Sequence, residues 1–247
     1  MAARSRSVSR FGAVSDTGRV RKDNQDAWRG DPADGLFLVA DGMGGMAGGA
    51  TASKAVAELL PGLLLKRLDG LPEAAVAGAL GEAIAELSAA VRARAAADPA
   101  LQGMGSTVAL ALVRGTRAYV ANLGDSRAYK LEGKRLKQLS KDHTVVAVML
   151  EKGRITKEQA AVHPLRHSLS RFVGMPGTAA AEVGVLKGRM RLLLCSDGLT
   201  NMLPEEAIAA ALKAEAEPAA ACRRLVAEAN AAGGEDNVTA LVVDVGA

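Results

Sequence analysis

Aromatic residues are scarce in this chain: three Phe, two Tyr and one Trp, or 2% of 247 residues. That argues against nucleic-acid modules that stack bases on aromatic side chains. Cysteine is nearly missing as well, with only Cys195 and Cys222, too few for a disulfide framework. No secretory leader is evident at the first residue. No apolar run approaches the ~18 residues of a membrane span without a break. Residues 55–65 form the greasiest stretch, yet Glu58 and Pro61 interrupt it and Lys66 and Arg67 end it. A reducing, cytoplasmic setting with no membrane and no nucleic acid is the expectation.

Other absences narrow the chemistry. Only three histidines occur, His143, His163 and His167, and no H-E-x-x-H is present, so a His/Cys zinc site is poorly supported. A thiol phosphatase needs an arginine six residues after its nucleophile, and six residues after Cys195 stands Asn201. Cys195 reads instead as a buried apolar filler. Ser196 has no G-x-S-x-G elbow around it, and Gly42, Gly44 and Gly45 lack the lysine and spacing of a phosphate loop. No Pro-rich, Gly/Ser-rich or charge-block linker divides the chain, so residues 1–247 are expected to form a single domain. Within it, residues 1–7 are expected to be a flexible basic tail, the start of a stretch bearing Arg4, Arg6 and Arg10. The net charge of +4 is modest and suits an anionic substrate.

What is present centres on residues 36–45. The apolar run Leu36, Phe37, Leu38, Val39, Ala40 delivers Asp41, then Gly42, Met43, Gly44 and Gly45. This reads as a buried strand ending in a tight turn, where missing side chains let backbone carbonyls and a ligand approach. The pattern returns in Leu192, Leu193, Leu194, Cys195, Ser196, Asp197 and Gly198, and a third carboxylate, Asp236, precedes the apolar stretch near the C-terminus. Three strand-adjacent aspartates far apart in sequence suggest one cluster in space. Cations are what make such a cluster tolerable, and all-oxygen donors suit hard divalent ions, Mg²⁺ or Mn²⁺.

Periodicity sets out the rest. Residues 11–14 read as a strand, followed by a dense charged stretch over 19–26. Residues 50–68 and 72–97 read as two helices covering a sheet. Residues 105–113, 117–122 and 127–131 read as an antiparallel meander joined by turns at Gly115 and Gly124, with a short strand at 135–139. Residues 144–163 are helical in parts, 164–180 irregular and basic, 204–214 and 217–232 helical, and 238–245 a closing strand. Strands and helices segregate in blocks, which points to α+β with antiparallel sheets.

Six motifs in order carry a resemblance. They are Arg21-x-x-Asn24-Gln25-Asp26; Asp41-Gly42-Met43-Gly44-Gly45; Gly105-Ser106-Thr107; Gly124-Asp125-Ser126-Arg127; Ser196-Asp197-Gly198-Leu199; and Asp236-Asn237. Together they resemble the PPM family of metal-dependent serine/threonine protein phosphatases (protein phosphatase 2C-like), in its bacterial form. The resemblance implies a four-layer α-β-β-α sandwich with two central antiparallel sheets flanked by helix pairs. It implies two Mn²⁺ or Mg²⁺ ions, with Asp41 bridging, the Gly42 carbonyl on one ion, and Asp197 and Asp236 completing a shell. Asp125, with Asp197, would serve a third, weaker ion. Arg21 would grip the substrate phosphate, Asp26 would either orient metal-bound water from behind the ligands or hold the Arg21 loop, and Asn237 would support the ligands from behind. Residues 144–180 fall where the family holds a mobile flap, so Arg166 and Arg171 become candidates for reading the phosphopeptide. The implied partners are phosphorylated proteins, with a bacterial serine/threonine kinase and its substrates, for a monomeric enzyme.

Two ions about 4 Å apart can acidify a water held between them, while an arginine pairs with two phosphate oxygens. Two departures stand out. Met43 occupies the place of a histidine general acid in many eukaryotic members, so the leaving group must take its proton elsewhere. Gln25 replaces a glutamate ligand. A domain that has lost its metals and only binds is disfavoured by the presence of Asp41, Asp125, Asp197 and Asp236. A phosphatase of small metabolites remains open at this point. Asp16, Asp23 and Asp142 read as turn or capping residues, Arg127 as pairing with a nearby carboxylate, and the three histidines as polar fillers or flap residues.

Overall fold

Alternation along the strands decides the layering. In a computed structural model that describes residues 10–246, Leu36, Leu38 and Ala40 face one hydrophobic cluster, while Phe37 and Val39 face another. A period of two on a strand buried on both sides does this. The strands are β1 (Arg10–Asp16), β2 (Asp26–Asp31), β3 (Leu36–Met43), β4 (Gly105–Ser106), β5 (Val108–Arg114), β6 (Arg117–Leu123), β7 (Arg127–Glu132), β8 (Arg135–Gln138), β9 (Glu182–Lys187), β10 (Met190–Cys195) and β11 (Val238–Val245). The helices are α1 (Gly45–Leu68), α2 (Val76–Ala97), α3 (Val145–Glu151), α4 (Lys157–Ala161), α5 (Asp197–Thr200), α6 (Glu205–Ala214) and α7 (Pro218–Ala231).

One antiparallel sheet runs β1-β11-β10-β7-β8; the other runs β2-β3-β5-β6-β9, with β4 attached to β3. Phe37, Val39, Ala109 and Val120 of the second meet Leu192, Leu194, Leu241 and Val243 of the first in the central core. Outside the second sheet, Val56, Leu60 and Leu64 of α1 and Leu80, Ile84 and Leu87 of α2 cover Leu38, Leu110 and Leu112. Outside the first, Ile208, Leu212, Leu225 and Val226 of α6 and α7 cover Leu193, Cys195 and Val242. Four layers, α-β-β-α, result, as expected. By length and composition the helical stretch Glu73–Ala97 is apolar enough to cross a membrane; its Val76, Leu80, Ile84, Leu87 and Val91 are spent on the core instead.

Several expectations change in detail. Residues 105–131 are not a simple meander. β5 and β6 pair in one sheet, but β7 joins β10 and β8 in the other, so the turn at Gly124 and Asp125 carries the chain across the sandwich. The expected strand 105–113 breaks at Thr107 into β4 and β5. Helix α1 begins five residues earlier than its composition suggests, directly at Gly45, because Gly44 (φ 113°) makes the left-handed turn that lets a helix follow a strand without a loop. Two strands went unseen. β2 hides in a charged stretch, and its Asp26 and Trp28 lie opposite Asp41 and Val39. β9 is an edge strand with a mostly exposed pattern and a central Gly184, so neither face shows alternation. The expected basic tail, residues 1–7, lies outside the described residues.

Candidate active site

The carboxyl ends of β3 and β10, the start of β11 and the β6–β7 crossing meet at one end of the sandwich. There Asp41, Asp125, Asp197 and Asp236 line a single cavity of about 1860 Å³, together with Arg21, Gly42, Thr107 and Asn237. Asp26 does not line it. It sits beneath, opposite Asp41 in the β2–β3 register.

Each position has a local cause. Asp41 falls where β3 leaves β5 for β4, and the broken ladder is repaired by the Gly105-Ser106-Thr107 segment. The Asp41 amide donates to Thr107 Oγ1 (2.9 Å), the Thr107 amide donates to the Asp41 carbonyl (2.8 Å), and Ser106 Oγ donates to that carbonyl (3.0 Å). Thr107 Oγ1 is in turn 2.6 Å from Ser126 Oγ. The small hydroxyl residues of that motif therefore clamp the backbone of Asp41, a role not assigned from sequence; the signal was a Ser-Thr pair beside a strand irregularity. Gly42 must be glycine, since a Cβ there would fall onto the backbone oxygens of Gly49 and Gln25. Its amide donates to the Gln25 carbonyl at 3.1 Å.

Asn237 holds the loop that carries Arg21. Its Nδ2 donates to the carbonyls of Thr17 and Asp23 (both 2.9 Å), and its Oδ1 accepts from the Gln25 amide (2.8 Å). Asn24 adds a bond from Nδ2 to Ser15 Oγ (2.8 Å). Arg21 itself donates from Nη2 to Asp236 Oδ2 at 2.7 Å, with its guanidinium half exposed at the cavity mouth. Asp197 opens the short helix α5, where Asn201 Nδ2 donates to its Oδ2 (3.0 Å) and His167 Nδ1 stands 3.9 Å from the same oxygen.

Electrostatics show what the arrangement lacks. Burial, then Asp26, Asp197, Asp125 and Asp236, push the Asp41 carboxyl well above its ordinary value. Burial, then Asp197 and Asp142, push Asp125 up to about 8. Asp197 is raised by burial and then by Asp236, against the pull of His167, Asn201 and Asp41. Asp26 is raised to about 7, chiefly by burial, although Ser196 Oγ (2.7 Å) and Thr239 Oγ1 (2.6 Å) both donate to its Oδ2; its Oδ1 is buried without a partner. Crowded carboxylates that raise one another in this way are short of positive charge. Among the described residues no three His, Cys, Asp or Glu side chains stand together as a metal-holding group; Asp236 accepts from Arg21 and Asp197 from Asn201. The donor chemistry nonetheless fits hard divalent cations: oxygen donors only, excess negative charge and a glycine carbonyl close by.

Residues outside the cluster sort out as follows. Arg127 pairs with Asp142, from Nε to both carboxylate oxygens (3.0 Å each) and from Nη2 to Oδ2 (2.7 Å). Asp142 is thus an ion-pair partner rather than a turn or capping residue. His143 is a buried polar filler and not a flap residue: its Nδ1 accepts from the Gly124 amide (3.1 Å), and its amide donates to the Gly124 carbonyl (2.9 Å). It thereby fixes the crossing that presents Asp125, and burial and then Arg171 lower its pKa to about 4. Arg166 and His167 line the cavity, but Arg171 does not. Arg171 donates instead to the Ala180 carbonyl (3.3 Å) and to Glu182 Oε1 (3.5 Å). The buried Cys195 thiol is pushed up to about 12 by burial, consistent with a filler.

Comparison with known proteins agrees with this geometry. The protein phosphatase 2C family profile matches residues 15–230. The serine/threonine phosphatase stp of Listeria welshimeri is 34% identical over 235 residues, covering 93% of each chain. The serine/threonine protein phosphatase PstP of Mycobacterium tuberculosis is 37% identical over 96% of this chain and 45% of its own length. A crystal structure of that phosphatase superposes with a TM-score of 0.83 at 36% identity, covering 96% of this chain and 98% of the other. The PstP catalytic domain in complex with two manganese ions superposes with a TM-score of 0.80, also at 36% identity, covering 96% and 98%. With four layers, a carboxylate cluster at their common end and these matches along nearly its whole length, the chain belongs to the protein phosphatase 2C family.

Proposed function

We propose that this chain is a metal-dependent protein serine/threonine phosphatase that hydrolyses phosphoserine and phosphothreonine in proteins. The observation that carries the reading is the convergence of Asp41, Asp125, Asp197 and Asp236 with Arg21 on one large cavity. Mn²⁺ or Mg²⁺ is the cofactor: Asp41, the Gly42 carbonyl, Asp197 and Asp236 would hold two ions, and Asp125 with Asp197 a third, weaker one. The two manganese ions in the related PstP structure support manganese as the cofactor. When bound, such ions supply Lewis acidity that acidifies water and offsets phosphate charge.

The chain's own residues do the rest. Arg21, half exposed at the mouth and held by a loop that Asn237 pins, exchanges its contact with Asp236 for two phosphate oxygens and so orients the group. Ser106 and Thr107 keep Asp41 from moving as charge develops. Asp26 supports the ligands from below, and Asn237, on the cavity wall, donates its backbone amide to Asp236 Oδ1. Met43 lines the site and carries no proton to donate.

The setting we propose is a single, monomeric catalytic domain in the cytoplasm, opposing a serine/threonine kinase. The test is an assay of phosphoserine and phosphothreonine peptides against sugar and nucleotide phosphates, each with Mn²⁺, Mg²⁺ or chelator. Metal-dependent hydrolysis of the peptides is expected. Hydrolysis of the small phosphates alone would replace this reading with a metabolite phosphatase.

A further inference from the structure

The cavity extends well beyond what one phosphorylated side chain needs. At about 1860 Å³ it exceeds the ~300–1,000 Å³ common for small-ligand pockets, so its walls must contact more of the substrate than the phosphate. One wall is apolar. Val146 and Leu150 of α3, Ala160 of α4 and Met202 beyond α5 all line it. Val146, Leu150 and Ala160 belong to none of the three hydrophobic cores that hold the sheets and helices together. Two of the large hydrophobic side chains found exposed among the described residues, Val162 and Leu165, lie on the same segment. Val146 and Ala160 are buried and form the floor of the wall, while the half-buried Leu150 and Met202 present its open apolar surface; apolar surface left open beside a polar site marks a place where a partner's apolar group is covered.

The wall is tied to the reacting end by sequence and by contact. Met202 follows Asn201, whose amide side chain holds Asp197. Lys157 and Arg166 line the cavity together with the wall, supplying charge complementary to a phosphorylated, acidic chain. An extended peptide advances about 3.3 Å per residue, so three residues span roughly 10 Å.

From this we infer that the enzyme prefers phosphoprotein segments carrying an aliphatic side chain within three residues of the phosphorylated one, seated on the wall formed by Val146, Leu150, Ala160 and Met202. This inference rests on the phosphoprotein reading above and adds a substrate class to it. The occupant is the substrate itself, because the wall and the carboxylates share one cavity.

The experiment uses a Gly/Ser host peptide around a single phosphothreonine, with leucine placed singly at each of the three positions on either side. At one or more positions leucine should raise kcat/KM roughly tenfold over serine, the scale on which a hydrophobic pocket discriminates. Leu150→Asp should bring that leucine-to-serine ratio to near one, while Leu150→Met should keep it. Leu150→Ser serves as a milder variant should the aspartate disturb folding. The ratio is taken within each enzyme, so a general loss of activity does not imitate the effect. Equal rates for all peptides, or an unchanged ratio in Leu150→Asp and Leu150→Ser, would overturn the inference and leave the phosphatase reading standing. Turnover of p-nitrophenyl phosphate with no hydrolysis of any peptide would overturn both.

Discussion

The five aspartates around the cavity differ in what they do to the metal-free protein. Asp125 gives the sharpest case because its carboxyl is raised from 3.8 to about 8. The folded protein then holds that proton more tightly than the unfolded chain. Asp125 is therefore harmless at low pH and becomes increasingly destabilising as pH rises from about 4 through about 8. In chelator, Asp125→Asn should match the wild type near pH 4 and melt at a progressively higher temperature toward pH 8. A melting difference that shrinks across that range would contradict the crowding described here. Asp41→Asn and Asp197→Asn should retain the fold for the same reason, yet lose turnover by orders of magnitude even at saturating Mn²⁺. Near-wild-type rates in either would remove that residue from the catalytic set. Asp41 and Asp197 were legible in sequence because an apolar strand delivering an acid is a strong local pattern, and Asp236 because it stands just before such a strand. The grips of Ser106 and Thr107 on Asp41, and of His143 on Gly124, were not. They are contacts across 65, 66 and 19 residues of chain, and nothing near either residue announces its partner.

Among the elements, the loop before β2 and the segment between β8 and β9 both line the cavity, and each yields a prediction. Asn237 makes three hydrogen bonds to the Arg21 loop. Removing them leaves carbonyls and an amide unpaired, at about 1–3 kcal/mol for a buried group. Asn237→Ala should lower the melting temperature by several degrees and raise KM for phosphopeptides through a loosened Arg21. Unaltered stability would mean that water replaces the side chain fully. The basic pair 166 and 171 looked alike in sequence, one arginine on each side of Ser168. The structure separates them: Arg166 lines the cavity, and Arg171 ties its segment to Ala180 and Glu182. Arg166→Ala should therefore raise KM for acidic phosphopeptides severalfold, whereas Arg171→Ala should act mainly on stability. Equal changes in KM for both would contradict this division. The same contrast explains why β9 was missed. An edge strand with most of its side chains in water carries little period-two signal, and its identity comes only from pairing with β6.

For the whole molecule, the decisive feature is that the carboxylates proposed to hold metal are shared between layers. Asp41 comes from β3 in one sheet, while Asp197 and Asp236 flank β10 and β11 in the other; Asp125 stands on the crossing between them. The α+β class with antiparallel sheets was readable from the block order of strands and helices, and the four layers from the family resemblance of the motifs. The crossing was not, because a Gly-Asp turn looks the same whether the next strand pairs beside the last or joins the opposite sheet. A cation held by these carboxylates would link the two sheets, so its binding energy would add to global stability and not only to local order. By mass action, metal at a hundred times its dissociation constant adds about 2.7 kcal/mol, which for a chain of this size corresponds to roughly 5–10 °C in melting temperature. Mn²⁺ or Mg²⁺ should thus raise the melting temperature, slow hydrogen exchange in both β3 and β10, and restore activity that EDTA abolishes. Calorimetry and exchange measured on the wild type and on Asp41→Asn check this together. Full activity in EDTA would overturn the metal assignment outright. Protection confined to one sheet would show that the ions do not join the layers in the way the shared ligand set requires.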